Sequence, residues 1–262
     1  MYASVRLSRM SCFLVAALSI VLLSPPVLAN TVSGGDGAVA SRSALASDVG
    51  IEILKQGGNA VDAAVAVGFA LAVTHPSAGN IGGGGFTVIR LADGTVLTQD
   101  AREKAPLKAD RDMFLDAAGN VDRGLSVSSH LSSGVPGSVA GLLDALERHG
   151  TLPRETVMAP AIRLAEEGFV LNEDLAGDFR RLQGSMSNYP ASLAVFSKNG
   201  EPYQAGDLWV QKDLAETLKR ISAEGRDGFY KGKTADLIVA EMERNGGLIS
   251  HEDLRSYEPE WR

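Results

Sequence analysis

From Ala60 to about Val73 the chain can offer a helix almost no polar face. A helix that is apolar all round has to be buried, and one this rich in Ala and Gly has to be packed closely. Its limits are marked. Gly57-Gly58 stops a preceding helix, Asn59 is a good N-cap, Asp62 stands three residues on in the capping-box position, and Pro76 closes the far end. The preceding stretch, Ala44 to Gln56, has helical spacing, with Leu45, Val49, Ile53 and Leu54 on one face. A buried helix needs a sizeable core around it. With 262 residues, 45% of them hydrophobic and 22% charged, the chain can build one. No linker-like stretch divides it, so one unit of mixed helix and strand is expected.

Beyond Pro76 comes Asn80-Ile81 and then four glycines, Gly82 to Gly85. Two strand-like runs follow, Phe86–Leu91 and Thr95–Gln99, joined by Ala92-Asp93-Gly94, which is a hairpin signature. This hairpin delivers Asp100-Ala101-Arg102-Glu103 to the end of its second strand, a natural place for a site. The remainder reads as helical: Val139–His149 after the turn Val135-Pro136-Gly137, Thr156–Glu167 closed by Gly168, and Leu175–Leu182. Lys212–Ala223 follows, with Leu214, Leu218 and Ile221 on one stripe, then Lys233–Arg244 ending at Gly246-Gly247, and a short turn over His251–Leu254.

The first 29 residues have the pattern of an export signal. Arg6 and Arg9 give a positive start, Cys12 to Leu23 an apolar run, and Val27-Leu28-Ala29 small residues at the cleavage positions. The run is shorter than the about 20 apolar residues that span a bilayer, so a membrane anchor is not expected. The expectation is cleavage after Ala29 and a mature chain of residues 30–262 in the periplasm or the medium. Thr31–Ala40, Gly-rich, is expected to lead in as a flexible strand. Cleavage would remove Cys12, the only cysteine, leaving no disulfide, no thiolate nucleophile and no cysteine metal ligand. The net charge of −7 is scattered in both signs. It has no basic stripe of the kind that binds nucleic acid.

Few residues present themselves for chemistry. The four glycines are followed by no Lys-Ser or Lys-Thr and do not give G-x-G-x-x-G, so they serve close backbone approach or positive φ angles rather than phosphate binding. His75, His130, His149 and His251 lack metal-ligand spacing, and no metal or cofactor is expected. His149 reads as a favourable charge at a helix C-terminus. His130 stands among Ser126, Ser128, Ser129, Ser132 and Ser133 without a nucleophile-elbow motif, and such loop hydroxyls are turn formers. The pair Arg102-Glu103 has two readings. One is a partly exposed ion pair. The other is an arginine that grips a carboxylate with its planar fork of donors. Composition and periodicity leave both open.

Longer motifs narrow the choice. Ala46-Ser47-Asp48-Val49-Gly50, Ile53-Leu54-Lys55-Gln56-Gly57-Gly58-Asn59-Ala60-Val61-Asp62 and Gly79-Asn80-Ile81-Gly82-Gly83-Gly84-Gly85-Phe86 resemble the opening of gamma-glutamyltransferases. Asp100-Ala101-Arg102-Glu103-Lys104-Ala105-Pro106 resembles that family's Asp-x-Arg-Glu-x-Ala-Pro. Gly134-Val135-Pro136-Gly137-Ser138, Gln211-Lys212-Asp213-Leu214, Gly228-Phe229-Tyr230-Lys231-Gly232 and Gly246-Gly247-Leu248-Ile249-Ser250 follow in the family's order. The resemblance implies an α+β fold of the N-terminal nucleophile hydrolase type, an αββα sandwich, present here without its C-terminal portion. It implies a precursor that cuts itself to expose a Thr, which takes the γ-glutamyl group from a donor such as glutathione and passes it to water or to an amino acid or peptide. In that pattern Arg102 binds the donor's α-carboxylate and Glu103 is its acidic neighbour. The nucleophile lies beyond Tyr257–Arg262, so the resemblance implies no catalytic residue in this chain, and activity only with the rest of the large subunit and the small subunit. A related acylase, acting on cephalosporins or polyglutamate, and a non-catalytic exported binding protein are the alternatives.

Overall fold

The second helix begins where it does because its first amides are capped from both directions. The Asn59 side chain accepts from the amides of Val61 and Asp62 at 2.8 and 3.0 Å, while Asp62 Oδ2 accepts from the Asn59 amide at 2.7 Å. The computed structural model describes Gly35 and residues 37–262. The export signal expected over residues 1–29, and much of the leading strand expected over 31–40, lie outside the described residues. Val39–Arg262 forms one compact unit.

The elements run in this order: α1 (Ala44–Lys55), α2 (Ala60–Thr74), β1 (Gly85–Arg90), β2 (Val96–Ala101), α3 (Arg123–Ser128), a 3-10 turn (His130–Ser132), α4 (Ser138–His149), α5 (Arg154–Glu167), β3 (Phe169–Val170), α6 (Glu173–Met186), α7 (Pro190–Phe196), β4 (Ser197–Lys198), β5 (Glu201–Pro202), β6 (Leu208–Trp209), α8 (Lys212–Glu224), α9 (Asp227–Tyr230), α10 (Gly232–Asn245), α11 (His251–Ser256) and β7 (Glu260–Trp261). The expected helices are present within a few residues of their predicted ends. The short elements α3, α7, α9 and β7 have too little periodicity to be read from sequence. The turn expected at His251–Leu254 is the helix α11, started by a capping box between Ser250 and Asp253.

Helix α2 is buried over most of its surface, with Ala66, Phe69, Ala70 and Val73 wholly inaccessible and only the stripe of Ala60, Ala64, Gly68 and Leu71 reaching solvent. α1, α4 and α5 pack around it. On α1 the buried stripe is Ala46, Val49, Gly50 and Ile53, which is one regular helical stripe. The Leu45 expected on that face lies beside the stripe and is 37% exposed.

Strands β1 and β2 pair antiparallel from Gly85↔Ala101 to Arg90↔Val96. β7 joins the far side of β2, with Gln99↔Trp261 and Asp100↔Glu260, giving the sheet order β1-β2-β7. The inner face turns Ile89, Gln99 and Ala101 inward toward α4. Asp144 of α4 fastens the central strand β2 and the edge strand β7 from that side, accepting from Gln99 Nε2 at 3.2 Å and from the Trp261 indole. The outer face carries Phe86, Val88 and Val96, all exposed. Two further ladders, β3 with β6 and β4 with β5, are two residues deep on each strand.

Candidate functional site

Strand β2 ends at Ala101, and the next two residues are Arg102 and Glu103. Their backbone is held by one near neighbour and by others distant in sequence. The Arg102 amide donates to Asp100 Oδ1 at 3.1 Å, and its carbonyl accepts from the Tyr257 hydroxyl at 2.8 Å. Lys104 and Val135 exchange both backbone hydrogen bonds, at 3.2 and 2.8 Å. The glycine run lies against this segment: a Cβ on Gly84 would stand 2.8 Å from the Arg102 Cα and 2.7 Å from the Glu103 nitrogen. The glycines therefore serve close backbone approach, and none of Gly82 to Gly85 has a positive φ. Gly83 also offers its carbonyl to the amides of Gly137 and Ser138, at 2.8 and 2.9 Å, so the start of α4 is tied to the same loop.

The Arg102 side chain is 57% exposed, and its Nε stands 3.2 Å from Glu103 Oε2. That carboxylate oxygen is buried and receives no hydrogen bond among the described residues. The two groups therefore meet as charges, without hydrogen-bond alignment. The Arg102 guanidinium also lies 5.9 Å from the centre of the Phe86 ring, a long cation–π contact. Neither of its terminal nitrogens donates to an acceptor among the described residues. A fixed backbone thus presents a guanidinium fork with its outer donors free, the arrangement that suits a carboxylate or another planar anion. Of the two sequence readings, the structure contains the partly exposed ion pair, made through Nε at 3.2 Å.

Tyr257 is 2% exposed and stacks on Tyr230 with ring centres 6.0 Å apart and planes at 10°. The Tyr230 hydroxyl donates to the Pro136 carbonyl at 2.8 Å and accepts from the Ala140 amide at 3.2 Å. Burial, reinforced by the negative charges of Asp100 and Glu103, pushes the Tyr257 phenol up to about 12. It therefore stays protonated and keeps its donor for the Arg102 carbonyl. Burial pushes Tyr230 up as well.

The other sequence candidates do not gather here. His130 faces Glu241 at 3.4 Å, and His251 faces Asp236 at 2.8 Å. His149 ends α4 and packs its ring edge on Trp261. Ser129 and Ser132 give their hydroxyls to the carbonyls of Leu125 and Ser129, so those two serines are turn formers. Among the described residues no three His, Cys, Asp or Glu side chains come together as metal ligands, and no helix is long and apolar enough to cross a membrane. Two cavities, of about 650 and 720 Å³, flank α4 and include neither Arg102 nor Glu103. Arg102 stands on an open surface.

A family model described as Gamma-glutamyltranspeptidase matches residues 46–262. The chain belongs to the gamma-glutamyltranspeptidase family. It is 50% identical over 255 residues to a glutathione hydrolase proenzyme of Escherichia coli (strain K12), a match covering 94% of this chain and 43% of that relative. The chain thus spans less than half the length of this curated relative. Among solved structures, the gamma-glutamyltranspeptidase of Helicobacter pylori superposes with a TM-score of 0.87 at 48% identity, over 88% of this chain and 67% of that one. A cephalosporin acylase from Bacillus halodurans superposes with a TM-score of 0.76 at 27% identity, over 91% of this chain and 46% of that one.

The α+β class expected from the sequence is therefore the family's fold. The described residues form one three-stranded sheet, β1-β2-β7, and two two-stranded ladders. Sequence reasoning missed Tyr257 and Tyr230, which bring Arg102 and the start of α4 together. Tyr230 lies inside a family-like motif, but no local pattern announces a contact between Tyr257 and Arg102 across 155 residues.

Proposed function

We propose that this chain is the part of an exported gamma-glutamyltransferase that holds the donor's α-carboxylate. The complete enzyme transfers or hydrolyses the γ-glutamyl group of glutathione-like donors, with water, an amino acid or a peptide as acceptor. The observation that carries this reading is the Arg102 fork, fixed by its backbone at the end of β2 with its outer donors free. In the reaction Arg102 would pair bidentately with the α-carboxylate and set the distance from that carboxylate to the γ-carbonyl. Glu103, behind the guanidinium, would limit its rotation. The nucleophilic Thr and the groups that bind the tetrahedral oxyanion would come from polypeptide outside the residues described here.

The reading is favoured over an acylase of another specificity. The identity of 48% to a gamma-glutamyltranspeptidase structure exceeds the 27% to a cephalosporin acylase. An arginine with free outer donors also suits a donor that has a free carboxylate. Arg6, Arg9, the apolar run and Val27-Leu28-Ala29 support export to the periplasm or the medium.

The test is Arg102→Lys in the complete enzyme, assayed with a γ-glutamyl anilide and with the same anilide bearing an α-carboxamide. A loss confined to the carboxylate donor is the expected result. Equal kinetics for parent and variant would reduce the pair to a surface ion pair.

A further inference from the structure

A binding arginine with an exposed side chain is only as well aimed as its backbone. The residue that aims Arg102 sits 155 positions away. The Tyr257 hydroxyl donates to the Arg102 carbonyl at 2.8 Å, from a ring that is 2% exposed and has little freedom to move. One face of that ring stacks on Tyr230, and the Lys104 ammonium lies 5.3 Å from its centre. Its own carbonyl accepts from the Arg226 guanidinium, which also lies 4.7 Å from the centre of Tyr230. Gly137 leaves the hydroxyl room: a Cβ there would collide with the Tyr257 oxygen and with the Ala101 carbonyl. The peptide plane that follows Arg102 is thereby fixed from one side by Tyr257. From the other side Gly84 packs against the Arg102 Cα.

We propose that Tyr257 is a positioning residue for the donor site: its hydroxyl, seated on the Tyr230 stack, sets the direction in which Arg102 presents its fork to the carboxylate. This rests on the reading of Arg102 as the carboxylate-binding group. The hydroxyl touches no substrate. Its effect is to keep the peptide after Arg102 from rotating, so that less order is lost when the carboxylate binds.

The experiment is a double-mutant cycle in the complete enzyme with Tyr257→Phe, Arg102→Ala and the pair, using the γ-glutamyl anilide and its α-carboxamide counterpart. Tyr257→Phe keeps the stacked ring and removes one hydrogen bond. KM for the carboxylate donor should rise about three- to tenfold, with kcat within about twofold. The carboxamide donor should be unaffected. In the Arg102→Ala background the same change should have no further effect on KM. Thr151→Val is the control. It loses the hydroxyl bond to Asp62, outside the Tyr257–Tyr230 stack, and it should lower Tm without moving KM. If Arg102→Ala raises KM while Tyr257→Phe does not, or if the two changes are fully additive, the positioning role is overturned and the carboxylate site stands. If Arg102→Ala leaves KM unchanged, the reading beneath it has failed. Should Tyr257→Phe not fold, 3-fluorotyrosine at 257 retains the ring and alters the donor. A KM shift for the carboxylate donor alone then supports the role, and no shift overturns it.

Discussion

Asp62 of α2 and Thr151 of the loop between α4 and α5 are joined by three hydrogen bonds across 89 residues of sequence. The Thr151 hydroxyl donates to Asp62 Oδ2 at 2.7 Å, and its amide to Oδ1 at 2.9 Å and Oδ2 at 3.1 Å. Leu152 adds its amide at 3.2 Å and Asn59 its own at 2.7 Å. The carboxylate is wholly buried, while its donors are half-buried on Asn59 and Leu152 and exposed on Thr151. Asp62→Ala would remove the shared acceptor of several partly buried amides at once, a loss on the order of 2 kcal/mol. The urea midpoint of the variant should fall accordingly. An unchanged midpoint would mean that the loop rearranges to satisfy those amides.

The same contacts give the fold a pH dependence. Burial pushes the Asp62 carboxyl up, but the Thr151 hydroxyl and the amides of Asn59, Leu152 and Thr151 together outweigh it and hold it below its ordinary value of 3.8. Asp253 follows the same pattern, with Ser250 and the Leu107 amide as its donors. A lowered folded pKa means that the unfolded chain binds the proton first. The stability these groups contribute is full above the ordinary carboxylate value and is lost as pH falls through their folded values. The gap in urea midpoint between the parent and Asp62→Asn should therefore be widest near neutrality and close in acid. A gap independent of pH would contradict the assignment.

Much of this architecture is written locally. The Asn59–Asp62 cap, the apolar α2 and the hairpin turn at Ala92-Asp93-Gly94 each depend on neighbours within a few residues, and each is where the sequence puts it. The place of Arg102 just past the end of β2 was legible too, because the hairpin that leads to it is local. What was not legible is long-range. Trp261 reaches Asp144 on α4, Tyr257 reaches Arg102, and Thr151 reaches Asp62. A single side chain carries no periodicity, so nothing in its own neighbourhood distinguishes these from ordinary loop residues. Leu45 shows the complementary error: a leucine one position off the stripe looks as apolar as one on it.

The outer face of the hairpin bears on solubility. Phe86, Val88 and Val96 are 68%, 72% and 58% exposed, and all three project from the face of β1 and β2 opposite α4. An apolar sheet face next to open strand edges promotes association. Residues 30–262 produced alone should self-associate by light scattering, and Val88→Lys should reduce it. A monodisperse monomer with a sharp unfolding transition would count against this.

Export gives a direct measurement. Protein recovered from the periplasm or the medium should begin at Asn30, or close to it, by mass spectrometry. The basic start, the apolar run and the Val27-Leu28-Ala29 end motivate that expectation. Intact Met1 on an exported product would refute it.

The sharpest test remains Arg102. Lysine keeps the charge but supplies a compact ammonium where arginine offers two parallel N–H donors. A charge-assisted contact of this type contributes about 1.5–3 kcal/mol, so Arg102→Lys should lose roughly tenfold to a hundredfold in kcat/KM on a γ-glutamyl donor. The loss should fall mainly in KM, because a carboxylate remote from the reacting carbonyl is held equally in ground and transition states. Glu103 provides an independent check. A bound carboxylate replaces water around the guanidinium, whereas an exposed Arg102–Glu103 pair at 3.2 Å contributes less than about 1 kcal/mol and is screened by added salt. Glu103→Gln should therefore leave kcat/KM for the γ-glutamyl donor within a fewfold of the parent, while Arg102→Lys should not. If both substitutions weaken the carboxylate donor equally, the intact ion pair rather than the free fork is what the donor recognises.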